Sequence, residues 1–256
     1  MTRGIILPLI RATIQLLALV TFLMCGEVHA DSLSHIIFKE KNPKLSGYLC
    51  IPAGLGPFPA VIYNHGGLGH IIGGPPEEIC KALAASGFIG FSPIRRKTRP
   101  LNGHLDDIQA ALRYIKNHEN VVPKKIAMMG FSRGALLTLM AARKFADIKA
   151  IVLMASAMGR GHLKRELSYA SEIRIPVLVL VGKDDRGSKR THTQNLLGAS
   201  ININLILKKS GVNSRIIIYP KDNFNKDNQS FDHTLFFNVG DYWPDVTSFI
   251  KTHLKK

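Results

Sequence analysis

Acidic residues, cysteines and long apolar runs are all scarce in this chain. Of its 256 residues, 18 are Asp or Glu against 34 Lys or Arg, a formal net charge of +16. The basic residues are dispersed, with clusters at Arg95-Arg96-Lys97, over residues 160–165 and 183–190, and at the C-terminal end. No nucleic-acid-binding motif or aromatic interleaving accompanies them. The charge therefore reads as a solvated basic face, suited to anionic surfaces or acidic substrates, rather than as a DNA site. The three cysteines and ten histidines show no zinc-ligand spacing, which excludes zinc fingers and ribbons. The apolar run over residues 16–24 falls short of the roughly 20 residues that cross a bilayer.

That run does fit an export signal. Arg3 and Arg11 precede it, and Val28-His29-Ala30 follows, with small residues where a signal peptidase reads. Residues 1–30 read as a secretory signal peptide, leaving a domain over 31–256 with no stable membrane insertion; an uncleaved anchor is the alternative. Cys25 is discounted as a lipid site, because Met24 stands where a small residue belongs. The remaining cysteines, Cys50 and Cys80, could pair in an exported protein or be ordinary buried thiols. The length and the 46% apolar content suffice for one core.

Strand and helix patterns alternate along the chain. Short β segments at 35–39 and 47–51 predict an antiparallel hairpin. Apolar runs at 60–63, 88–91, 126–129, 150–154, 176–181 and 215–219 predict buried strands. Helices are expected over 75–86, 104–118, 135–142, 194–209 (broken near Gly198) and 242–254. This alternation implies a mostly parallel sheet with helices on both faces. Residues 155–172 are polar and irregular, and are expected to form a small cap.

Gly130-Phe131-Ser132-Arg133-Gly134 lies between a strand and a helix pattern. A sharp strand-to-helix turn lifts a serine side chain clear of the sheet, so Ser132 is the candidate nucleophile. The Arg133 N–H, at the start of the new helix, is a candidate oxyanion donor. Asn64-His65-Gly66-Gly67-Leu68 follows another strand; N–H groups of Gly66, Gly67 and Leu68 are the expected second donor, with His65 bracing the loop. After the strand at 176–181, the spacing in Gly182-Lys183-Asp184-Asp185 selects Asp185 as the orienting acid; a helix N-cap is the alternative. His233 is the sole histidine between the last strand and the last helix, and is the candidate base. Arg95, Arg160 and His162 are candidates for facing substrate, with Arg95 and Arg96 also open to a structural role. No metal or cofactor is implied. His104, His118, His162 and His192 read as structural by position, His162 doubling as a cap residue.

The order Ser132, Asp185, His233 is that of α/β-hydrolases. On the stretches Tyr63-Asn64-His65-Gly66-Gly67, Gly130-Phe131-Ser132-Arg133-Gly134, Gly182-Lys183-Asp184-Asp185 and Phe231-Asp232-His233, the chain resembles the dienelactone-hydrolase-like group of that superfamily, over roughly residues 45–254. The resemblance implies an α/β-hydrolase fold. Dienelactone hydrolases proper use cysteine at the position of Ser132, so a serine hydrolase acting on a small-molecule carboxylic ester is the implied activity. A prolyl-oligopeptidase-like peptidase, an acyltransferase and a non-catalytic binding protein are the alternatives. Oligomeric state is left open.

Overall fold

Within each central strand, successive side chains enter two different apolar layers. Ala60 and Ile62 join one and Val61 and Tyr63 the other; Ile126 and Met128 alternate in the same way with Ala127 and Met129. A strand buried on both faces needs apolar residues at every position, which is why these segments read as continuous runs rather than alternating ones. The computed structural model describes residues 32–67, 71–99, 101–221 and 231–255. The signal peptide expected over 1–30, Leu68 and nearly all of the polar loop expected over 221–229 lie outside them.

The strands are β1 (Ser32–Lys39), β2 (Leu45–Ile51), β3 (Phe58–Asn64), β4 (Ile89–Pro93), β5 (Val121–Phe131), β6 (Ile148–Met154), β7 (Val177–Gly182) and β8 (Ser214–Tyr219). They form one sheet in the order β1-β2-β4-β3-β5-β6-β7-β8. β1–β2 and β2–β4 are antiparallel; every later pair is parallel. The helices are α1 (Pro76–Ala85), α2 (His104–Lys116), α3 (Arg133–Lys144), α4 (His162–Leu167), α5 (Leu196–Lys209) and α6 (Trp243–Leu254). α1 and α6 cover one face, through Ile79, Leu83, Val246 and Ile250. α2, α3, α4 and α5 cover the other, through Ile108, Leu136, Leu163 and Ile203.

The expected hairpin, parallel core and helices on both faces are all present. Two details differ. α5 runs unbroken past Gly198, whose N–H is taken by the Asn195 side chain at 2.9 Å. Gly198 thus sits in a capped first turn, where its lack of a side chain costs little. In the span expected to form a cap, α4 is anchored to the body by buried Leu163 and Leu167. Residues 158–162 border one cavity, and Leu163, Lys164, Leu167 and Ser168 border another against α5. Cys50 in β2 and Cys80 in α1 are joined by a disulfide, which resolves the two readings left open for them.

Candidate active site

β5 ends in a backbone that no strand or helix would tolerate. Ser132 has φ 52° and ψ −114°, a conformation held because its N–H donates to Met154 O at 2.8 Å and its C=O accepts from Ala157 N–H at 3.0 Å. The turn reverses at once into α3, packed so closely on the end of β3 that a Cβ on Gly134 would collide with the Asn64 carbonyl. Asn64 is fixed there by donation to Thr138 Oγ1 at 2.8 Å. Arg133 is the first residue of α3, where N–H groups have no partner within the helix.

β7 delivers the two candidate acids, and the structure separates them. Asp185 is buried, and its Oδ2 lies 2.9 Å from His233 Nδ1. Asp184 instead accepts the Phe231 N–H at 3.0 Å and returns its own N–H to Phe231 O. Gly182 makes this junction possible, since a Cβ there would overlap the Phe231 carbonyl. Asp232 then caps the turn His233–Phe236, accepting from Thr234 N–H at 2.8 Å. The His233 ring lies against Phe131, with centroids 4.6 Å apart. Ser132, Arg133, Gly67 and His233 line one cavity of about 390 Å³. Its apolar wall is Ile71, Ile72, Phe131, Leu196 and Phe237.

The loop after β3 departs from expectation in two ways. The Gly66 N–H is spent on Gly73 O at 2.7 Å, so Gly66 offers no donor to the cavity. Gly67 lines it, and Leu68 lies outside the described residues. Arg95, read as a candidate for facing substrate, is instead buried behind the loop. Its guanidinium donates to the carbonyls of His65 and Gly66. His65 braces the same loop: Nδ1 donates to Gly66 O at 2.7 Å and Nε2 accepts the Arg95 N–H at 3.3 Å. Burial, then the Arg95 charge, lowers the His65 pKa to about 3, so the imidazole is neutral and free to make both bonds. Arg96 pairs with buried Asp107 through Nη2 at 2.6 Å.

Arg160 and His162 border a neighbouring cavity rather than the one around Ser132. His192 and Gln194 border both, and sequence reasoning missed them. His192 reads as structural by position; its left-handed backbone at φ 51° has no signature in the sequence.

The model of the dienelactone hydrolase family matches residues 94–254, a span that contains Ser132, Asp185 and His233. "Putative carboxymethylenebutenolidase" of Aquifex aeolicus is 25% identical over 166 residues, covering 58% of this chain and 70% of that protein. Among solved structures, the hyperthermophilic esterase of Pyrobaculum calidifontis superposes with a TM-score of 0.65 at 17% identity, covering 98% of this chain and 93% of that one. The acylaminoacyl peptidase of Pyrococcus horikoshii gives a TM-score of 0.67 at 16% identity, with 92% of this chain matching 44% of that one. These likenesses show the α/β-hydrolase fold, and with the family match over most of its length the chain belongs to the dienelactone hydrolase family.

Proposed function

We propose that the protein is a serine hydrolase that cleaves carboxylic esters through an acyl-enzyme on Ser132. The observation that carries this reading is the buried Asp185–His233 hydrogen bond, 2.9 Å long, ending in the cavity that also exposes the strained Ser132. A neutral hydroxyl is a weak nucleophile, so His233 Nε2 takes its proton as Ser132 Oγ attacks the ester carbonyl. Asp185 fixes the tautomer with the proton on Nδ1 and stabilises the imidazolium. The N–H groups of Arg133 and Gly67 hold the developing oxyanion; one such donor is worth about 3–4 kcal/mol in other serine hydrolases. His233 then protonates the leaving alcohol, and water, deprotonated by the same imidazole, releases the acid. Neutral His65 and the buried Arg95 hold the Gly66-Gly67 loop in place without entering the reaction.

The apolar wall of the cavity supports a small acyl group as the reacting half. A peptide bond is the second reading, favoured by an uncharacterised Bacillus subtilis peptidase that is 28% identical over 114 residues, 42% of this chain and 44% of that one. The test is turnover of 4-nitrophenyl butyrate and of a peptide nitroanilide, with fluorophosphonate labelling of wild type, Ser132→Ala and His233→Ala. Ester turnover and labelling in wild type, with a loss of at least about 10³-fold in both variants, is the expected result. Labelling that persists in Ser132→Ala would overturn the assignment, and faster nitroanilide cleavage would favour the peptidase.

A further inference from the structure

Beside the cavity that holds Ser132 lies a second of about 750 Å³, and the two share Arg133, His192 and Gln194 as a common wall. Both have apolar walls, the second through Leu101 and Met158, but the second adds Arg160 and His162 to the shared Arg133 and His192, and among the described residues no Asp or Glu lines it.

Arginines are ordinarily paired or fully solvated. Arg133 is neither. It is half-buried, and its Nε is shielded from solvent with no hydrogen-bond partner. Among the described residues neither Arg133 nor Arg160 has an ion-pair partner. Burial, then the charge of Arg160, holds the Arg133 guanidinium below its ordinary pKa, so the two cations are close enough to oppose one another.

The wall is built to stay in place. Gln194 Oε1 accepts the Met158 N–H at 2.7 Å and Nε2 donates to Thr191 O at 2.8 Å, tying the two loops together. His162 Nδ1 lies 2.7 Å from Arg165 Nη2. A guanidinium only donates, so Nδ1 accepts and Nε2 carries the proton. The cavity thus offers two guanidinium groups and an imidazole N–H, a set of donors suited to a cluster of anionic oxygens. A monoanion would compensate one of two mutually repelling cations; a dianion compensates both.

Resting on the reading of Ser132 as nucleophile, we propose that the second cavity is a subsite for a dianionic phosphate-type group carried on the ester substrate, away from the bond that is cleaved. The substrate is then an ester with one apolar portion and one phosphorylated portion. His192, at the junction, contacts both.

The test compares matched esters with the full protein. 4-Nitrophenyl butyrate, mono-4-nitrophenyl glutarate and 4-nitrophenyl 4-phosphonobutyrate place no charge, a carboxylate or a dianion on the acyl side. Phenyl butyrate and 4-phosphonooxyphenyl butyrate place no charge and a dianion on the alcohol side. One phosphorus-bearing ester is expected to exceed its neutral partner by about tenfold or more in kcat/KM, the scale of one charge-assisted contact. Where the acyl side is the one used, it should also exceed the glutarate. The preference should shrink as salt is raised. Arg160→Gln should reduce the ratio of phosphorus-bearing to neutral ester to within about twofold, Arg160→Glu should invert it, and Arg160→Lys should keep part of it. Equal rates for neutral and phosphorus-bearing esters, a glutarate as good as the phosphonobutyrate, or a ratio that survives Arg160→Gln would overturn the inference. Labelling of Ser132 by a neutral fluorophosphonate separates the failures. A labelled enzyme without anion preference sinks the subsite alone, and an unlabelled one sinks the hydrolase reading with it.

Discussion

Two adjacent carboxylates, Asp184 and Asp185, have opposite surroundings, and their variants should separate catalysis from architecture. Among the described residues the buried Asp185 carboxylate bonds the imidazole alone, whereas Asp184 is exposed and holds the Phe231 amide. Asp185→Asn keeps the shape but puts an amide N–H against Nδ1, favouring the wrong tautomer. The expected loss in kcat is about 10³–10⁴-fold with little change in thermal midpoint. Asp184→Ala removes one acceptor at a partly solvated site; about 1 kcal/mol of stability should go, with kcat affected far less. Steady-state kinetics and calorimetry on the two proteins check both, and comparable kcat losses would contradict the division of roles. His65 gives a second residue-scale prediction. Its pKa is about 3 when folded against 6.5 for the free side chain. Between those values the unfolded chain binds a proton that the folded one does not. Stability from His65 is therefore complete above pH 6.5 and is lost as pH falls toward 3. Melting midpoints measured across that window should drop on acidification, and should drop less steeply in His65→Asn. That variant keeps a donor for Gly66 O and loses the acceptor for Arg95, so it should be less stable at neutral pH by about 1–2 kcal/mol.

At the scale of elements, the disulfide joins β2 to α1 across a separation of 30 residues. Closing a loop of that size restricts the unfolded chain and stabilises the fold by about 3.6 kcal/mol, which for a domain of this length corresponds to roughly 7–14 °C in midpoint. Calorimetry with and without dithiothreitol, and on Cys50→Ala/Cys80→Ala, should show that drop; a midpoint unmoved after complete reduction would rule the constraint out. The pairing could not be read in the sequence, because nothing in the separation of Cys50 and Cys80 tells whether a helix folds back over an edge strand. What could be read were elements whose local signals agree with their burial. β3, β5 and β7 are doubly buried strands and declare themselves as apolar runs. The Gly130 and Gly134 spacing marks a turn where a helix must crowd the sheet. Arg95 shows the limit. Its place after β4 was legible, but whether the guanidinium turned toward substrate or back under His65 depended on carbonyls thirty residues away in the chain. The donor expected from Gly66 failed for a similar reason, since its N–H is claimed by Gly73 across an isolated bridge that no local pattern announces.

For the molecule as a whole, two observations bear on the export proposed for it. Residues 1–30 carry the basic, apolar and small-residue pattern of a secretion leader, and the fold contains a buried disulfide. Disulfides persist in oxidising compartments, so the bond and the leader point the same way by independent routes. Expressed with its leader in a bacterial host with two membranes, the protein should be recovered from the periplasm or medium with Asp31 as its first residue and with Cys50 and Cys80 protected from alkylation. N-terminal sequencing with thiol labelling checks both together. A chain recovered in the membrane fraction with its leader intact would instead show an anchor, holding beside an anionic bilayer a chain whose net charge of +16 is suited to it. A chain retained in the cytoplasm would contradict export, where reactive thiols are expected whatever the native pairing; both thiols reactive in the exported protein would contradict the pairing.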